Sequence, residues 1–417
     1  LKSDDGGYFY HLPLQADESL GAFLHTTMFY TLEHPAPVYH CDDFLHQQTF
    51  LEQASGKREL VYFPETAWWL GFDNNLPLAM PITGWSRAFD IAEVLPDYEV
   101  SGHVTFTTGR EWNYWQYDHF LTRATWDSTV TWDAYLESLK PLYGSLGKKV
   151  HSILGKWTDL QKQHFYTDNP MIYFYLAGEL PQDEIGARAG IFARPPKIAL
   201  ETVVGYDDEQ FDEWKERDFD MLTSMEHEYR ALLDKLPETL AEGTGQEKRL
   251  YREVRWTLYI YVRRIEHAAA IYGGVIAARE WAIEKKRAAA ADPPEEPNEG
   301  VKQVSLAGAS GHLADARDIT EDVKSLFAAA EDDYRYPVGI LCRDKPESLT
   351  AYPFGYLSET SSAYFWQRRD DQLKNLIDVT YESGQEAWST QPDTVFFTDK
   401  DHMQLTEPSD PVSAEII

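Results

Sequence analysis

Two regimes of hydrophobic patterning divide this chain. Over roughly the first 130 residues, short apolar runs are separated by loops and brief helical stretches, and beyond them apolar positions recur every three or four residues. Leu20 to Tyr30 is apolar and aromatic and is followed by His34-Pro35-Ala36-Pro37, which predicts a strand and its exit loop. Asp42 or Asp43 can cap a helix through Phe44, Leu45, Phe50 and Leu51 that ends near Gly56. Glu59 to Phe63 predicts a second strand running into Pro64-Glu65-Thr66-Ala67-Trp68-Trp69. His103 to Thr107 predicts a third, ending at Gly109-Arg110-Glu111-Trp112 before a helical stretch with Tyr114, Trp115, Tyr117 and Phe120. Strand, loop, helix, strand is the rhythm of a parallel sheet. Three or four such units fit before residue 130, whereas a closed barrel needs eight. The expectation is an α/β protein that opens with the later units of a partial (β/α) barrel, its other strands lying upstream of Leu1; a smaller open sheet is the alternative.

From Trp132 to about Phe165 the pattern is helical, with Trp132, Tyr135, Leu136 and Leu139, then Val150, Ile153, Leu154, Trp157 and Leu160. Met171 to Leu176 reads as an extended patch, and Phe211 to Leu236 as helix again. The longest helical signal runs from about Glu247 to Ala290, with Gly273-Gly274 as an expected kink or break. Charge and prolines without apolar period, from Lys285 to Gly300, mark a linker. Later residues mix strand-like Pro337 to Leu341 with helical Phe365 to Ile377, and the end from Glu407 is polar. The expected divisions are 1–130, barrel units; 131–291, a helical domain; 292–300, the linker; and 301–417, a small mixed α+β domain with a polar tail. No repeat of 20–50 residues is visible.

At 417 residues, two or three cores are expected. Asp and Glu number 69 against 38 Lys and Arg, a formal charge of −31 that repels a phosphate backbone and counts against nucleic acid as a partner. No run of about eighteen apolar residues offers a membrane span. The acidic surface and the start at Leu1, without Met or signal features, suggest an extracellular, periplasmic or cell-surface protein cut from a precursor; a fragment of a larger protein is the other reading. The 13 Trp, 25 Tyr and 20 Phe are the more informative excess, because flat rings with a polar edge suit sugar rings as well as cores. Cys41 and Cys342 lie far outside any CxxC spacing, which excludes a cysteine-built zinc site and leaves one long-range disulfide or two free thiols.

Candidate chemistry sits after the strands, where loops of a parallel sheet vary without disturbing the core. Glu65 follows the second strand beside Trp68 and Trp69, and Glu111 follows the third beside Trp112 and Trp115. Two carboxylates flanked by indoles fit glycoside hydrolysis, one protonating the leaving oxygen and the other acting as nucleophile or base. The competing assignment pairs these glutamates with Arg87 or Arg110 and places the tryptophans in the core. Asp73, in Gly71-Phe72-Asp73-Asn74-Asn75, and Asp90 lie in the same units; Asp73 could orient a hydroxyl or simply make a turn. His34, His40, Cys41, Asp42, Asp43 and His46 crowd together without a metal-site spacing, so a capped helix carrying a histidine is the expectation and no metal is assigned. Gly308 to Gly311 lacks the Lys and spacing of a Walker loop, and no GxSxG elbow occurs, so no nucleotide or other cofactor is indicated.

Glu111-Trp112-Asn113-Tyr114-Trp115, Trp126-Asp127, Trp132-Asp133 and Leu142-Tyr143-Gly144 together resemble the last barrel unit of TIM-barrel glycoside hydrolases with an appended helical domain, of the hexosaminidase-like, α-glucuronidase-like and α-N-acetylglucosaminidase-like groups. The resemblance covers about residues 20–165; the proline of that family's W-D/N-P-x-x-D segment is missing here, and so is a recognisable paired acidic motif. It implies a carbohydrate-active hydrolase, with Glu65 and Glu111 as carboxylates and Trp68, Trp69, Asp73, Trp112 and Trp115 as sugar-binding residues. The rival is a non-catalytic carbohydrate-binding or surface-assembly protein on a hydrolase-like fold. A sheet left open near residues 20–30 would be completed by the N-terminal half of the same precursor or by another subunit.

Overall fold

A computed structural model describes residues 9–26, 29–34, 45–65, 80–105, 115–177, 200–330 and 364–381. Three short parallel strands, β1 (Ala22–His25), β2 (Leu60–Phe63) and β3 (Gly102–His103), form a sheet in that order. The register sets Leu24 beside Tyr62 and Tyr62 beside His103. Helix α1 (Leu45–Ala54) joins β1 to β2, and α2 (Pro81–Phe89) stands between β2 and β3. Leu24, Leu60 and Tyr62 are buried and share the core with Phe50, Leu51 and Ala54 of α1. Alternation sends Phe23 to the other face, where it is 63% exposed and meets Phe63 edge to face at 5.8 Å.

The remaining described residues are mostly helical. α3 (Trp115–Trp126), α4 (Trp132–Leu139) and α5 (Gly147–Lys162) follow the sheet, then short α6 (Tyr173–Ala177), α7 (Leu200–Gly205), α8 (Asp208–Trp214) and α9 (Asp220–Leu233). The longest helix, α10 (Gly245–Ala290), starts in a capping box: Thr244 accepts from the Glu247 N–H, and Glu247 accepts from the Thr244 N–H at 2.6 Å. Its 46 residues extend about 70 Å at 1.5 Å per residue. α11 (Glu299–Ala330) returns antiparallel along it, so the proline-rich segment read as a linker is the turn of a helical hairpin. Arg263 and Tyr259 of α10 both bond Asp322 of α11. α12 (Tyr364–Tyr381) packs on both helices. One apolar core extends from Leu24 to Ile377.

The partial barrel is therefore corrected: the described chain is mostly helix, with one three-stranded parallel sheet and no barrel. The β/α rhythm of the first 105 residues is real, but its strands are only two to four residues long. The Leu20–Tyr30 run supplies four strand residues, because the backbone from Tyr30 onward turns into the core to meet Arg87 and Asp90. After residue 299 the described residues form two helices and no strand, against the expected mixed α+β arrangement; Pro337 to Leu341 lies outside them. Met171 to Leu176 is a turn and short helix rather than extended chain, since a short, fully apolar run does not distinguish the two. Gly273-Gly274 neither kinks nor breaks α10. A Cβ on Gly273 would stand 2.7 Å from the His312 ring and one on Gly274 2.7 Å from Leu373, so the pair gives α11 and α12 close approach.

Candidate active site

The carboxyl ends of β1 and β2 carry the densest polar chemistry near the sheet. His25 closes β1, and its Nε2 lies 3.2 Å from Oε1 of Glu65, just past β2. The His25 side chain is 38% exposed while that of Glu65 is 5% exposed, so the imidazole faces water and the carboxylate lies behind it. The pair arises from topology: adjacent parallel strands bring their ends to the same edge.

Beneath it, Arg87 is wholly buried. Its guanidinium donates to the Tyr30 carbonyl at 2.7 Å and to Thr26 Oγ1, and it approaches Asp90 at 3.9 Å. Asp90 accepts from Tyr62 Oη at 2.6 Å and from the Leu32 N–H at 2.7 Å. α2 passes into a π turn over Asp90–Val94, a helical irregularity common at functional sites. Burial pushes the Asp90 carboxyl up to about 6, against the pull of Arg87 and of the Tyr62 and Leu32 hydrogen bonds. Burial also works against the Arg87 cation, but Tyr62, Asp90, Tyr166 and Glu65 outweigh it and raise that group. The network ties the β1 exit to α2 and puts Glu65 in the field of a fixed cation. Removing one partner of such a buried pair costs about 3–5 kcal/mol.

An aromatic cluster adjoins this network. His34 stacks on Tyr166 at 4.4 Å and meets Trp85 and Phe89 edge on, while the Lys162 ammonium lies 4.1 Å from the Trp85 ring centre. Burial, then Lys162, lowers His34 below the usual imidazole range. Tyr166 belongs to a second π turn, Gln163–Asp168, and donates to the Phe29 carbonyl.

A separate buried cluster joins the long helices. Arg264 Nη1 lies 3.1 Å from His267 Nδ1, His267 Nε2 2.9 Å from Asp370, and Thr320 donates to the other Asp370 oxygen at 2.9 Å. Nδ1 therefore accepts from the guanidinium while Nε2–H donates to the carboxylate, which fixes a neutral tautomer. Burial, with Arg369 adding to it, pushes Arg264 down to about 9, and burial likewise lowers His267. This cluster fastens α12 to the α10–α11 hairpin.

Of the residues singled out from sequence, Glu65 stands at the edge site and Asp90 in the network below it. Trp115 begins α3, and its indole N–H donates to Glu253 of α10 at 3.1 Å, joining two helices. Glu111, Trp68, Trp69, Asp73 and Trp112 lie outside the described residues, as do His40, Cys41, Asp42, Asp43 and Cys342. His46 is buried on α1, its carbonyl 3.0 Å from His11 Nε2. Among the described residues no group of three or more His, Cys, Asp or Glu stands together as a metal site, and no helix is long and apolar enough to cross a membrane. Sequence reasoning missed His25; the available signal was a titratable residue closing a strand next to the one that leads to Glu65. Compared with protein-family models, curated proteins and solved structures, the chain matches none. The likeness to glycoside hydrolases rests on the short motifs quoted above.

Proposed function

We propose that this chain is a carbohydrate-active hydrolase whose acid–base chemistry sits at the carboxyl edge of the three-stranded sheet. The observation that carries the reading is the His25–Glu65 pair, a nearly buried carboxylate at a strand end in contact with a solvent-facing imidazole. In this reading Glu65 gives its proton to the glycosidic oxygen as the C–O bond to the leaving group breaks, and His25 exchanges protons between Glu65 and water. Glu111, which follows the next strand in the sequence, is assigned as the second carboxylate, attacking the anomeric carbon itself or deprotonating the water that does; Trp68, Trp69, Asp73, Trp112 and Trp115 are assigned to the sugar. The formal charge of −31 supports neutral or cationic rather than anionic sugars, and an extracellular, periplasmic or cell-surface setting. The exposed Phe23 on edge strand β1 supports a second polypeptide as partner, either from the same precursor or another subunit.

The test is leaving-group dependence. Glu65→Ala should lose hydrolysis of alkyl glycosides, whose poor leaving groups need the proton, far more than of activated aryl glycosides, which leave without it, whereas loss of a structural carboxylate would lower both alike. A folded Glu65→Ala protein with undiminished hydrolysis ends the assignment. Sugar binding with no turnover by the wild type would instead favour the non-catalytic protein.

A further inference from the structure

A hollow at the β3 edge of the sheet has no part in the chemistry above. It measures about 300 Å³ and lies between β3, the turn after α2 and the end of α3. Tyr62, Ile91, Leu95 and Ala124 line its apolar part, and Tyr98, Ser101, His103, Thr125 and Ser128 its polar part. That volume is at the lower end of small-molecule sites. We propose that this hollow binds a single neutral pyranose ring, with the Tyr98 ring against its apolar face and His103, Ser101, Thr125 and Ser128 hydrogen-bonded to its hydroxyls.

Three observations select that ligand. First, no Lys or Arg is among the described lining residues, so a phosphate or carboxylate would find no counter-charge. Tyr98 is raised by burial and then by Glu52, Asp97 and Glu33, so the charges that reach this lining ring are negative. Second, burial lowers His103, leaving a neutral imidazole with one donor and one acceptor, the combination a sugar hydroxyl can use in both senses. Thr125 already donates to the Leu121 carbonyl, so its oxygen offers an acceptor, and Ser101 likewise donates to the Leu60 carbonyl. Third, Trp126 is 93% exposed, directly after Thr125 and two residues before Ser128. An exposed indole next in sequence to one lining hydroxyl and two residues before another supplies a second flat face for a longer saccharide. The floor is not inert: Tyr62, which lines the hollow, donates to Asp90 and so touches the network beneath Glu65.

The inference shares its ligand class with the proposed hydrolase but rests on different residues, and the experiment separates the two. Gluco-, galacto-, manno- and xylo-configured methyl pyranosides and their short oligomers would be titrated by saturation-transfer NMR and calorimetry into wild type, Tyr98→Ala, His103→Gln, Trp126→Ala and Glu65→Gln. Binding in the wild type should weaken at least about tenfold in Tyr98→Ala and His103→Gln. Trp126→Ala should weaken oligomers more than the monosaccharide, and Glu65→Gln should weaken monosaccharide binding less than Tyr98→Ala or His103→Gln does. His103→Gln is a mild change that carries a donor and an acceptor but cannot hold them in the imidazole's fixed geometry, so its loss is readable even if Tyr98→Ala unfolds. Wild-type affinity in both folded hollow variants, or no binding of any pyranoside, overturns the inference. Binding lost in Glu65→Gln but retained in the hollow variants also overturns it while supporting the edge site. Binding at the hollow without turnover supports it and overturns only the hydrolase.

Discussion

Adding one methyl group at chosen glycines tests the helical packing with a result whose sign is diagnostic. In a helix interior Gly→Ala gains about 1 kcal/mol from propensity alone. Gly155 in α5 and Gly311 in α11 have nothing within 4 Å of a new Cβ, so Gly155→Ala and Gly311→Ala should each stabilise by about that amount. At Gly273 and Gly274 the new Cβ would fall 2.7 Å from His312 and Leu373, whereas carbon atoms settle near 3.5–4.0 Å. Overpacking costs about 1–3 kcal/mol, which outweighs the propensity gain and leaves a net loss of up to about 2 kcal/mol. Gly84→Ala should be worst, since its Cβ would stand 2.3 Å from the nearly buried Trp132 ring, which has little room to move. Urea unfolding followed by far-ultraviolet circular dichroism gives the midpoints, valid where the slope is unchanged. If Gly273→Ala and Gly274→Ala stabilise as Gly155→Ala does, α11 and α12 do not cross α10 there, and the arrangement of the three long helices is wrong.

Two pH experiments address the buried clusters. Asp90 is raised to about 6 in the folded protein from 3.8, so its contribution is fully present below pH 3.8 and is lost as pH rises through 6; against Asp90→Asn, wild type should lose about 2 kcal/mol between pH 4 and pH 7. A pH-independent difference would mean that the carboxylate titrates normally. His267 has the opposite sign, since its lowered folded value makes its contribution present above pH 6.5 and lost below it. The advantage of wild type over His267→Gln should therefore shrink on acidification from pH 7.5 to 5, and growth of that advantage would contradict the neutral imidazole between Arg264 and Asp370.

Short-range pattern carried the local elements well. The Glu59–Phe63 run, the helix through Phe50 and Leu51, and the heptad-like spacings from Trp132 onward all correspond to elements within a few residues. What the pattern could not supply was how far each strand pairs. Beyond β1, Arg87 and Asp90 draw the chain from Tyr30 to Leu32 inward, and that is a contact across more than fifty residues. The Gly273-Gly274 misreading has the same origin. Paired glycines weaken an isolated helix, but here two neighbouring helices need the space, and their approach is invisible in a local window. Glu65 was placed just past the second strand, where it stands, whereas Asp90, expected on a loop, is buried at the start of the π turn after α2. His25 becomes meaningful only once β1 and β2 are known to be neighbours in register, and the Tyr98–His103 hollow only once α3 is placed against β3.

The most direct test of the central claim is kcat/KM for Glu65→Gln relative to wild type on a glycoside that the wild type cleaves, with melting temperatures measured alongside. Loss of an acid–base carboxylate predicts a fall of at least about a hundredfold with an almost unchanged melting temperature. A Glu65→Gln protein that melts as wild type and cleaves the same glycoside at the wild-type rate would contradict the claim that Glu65 carries the chemistry.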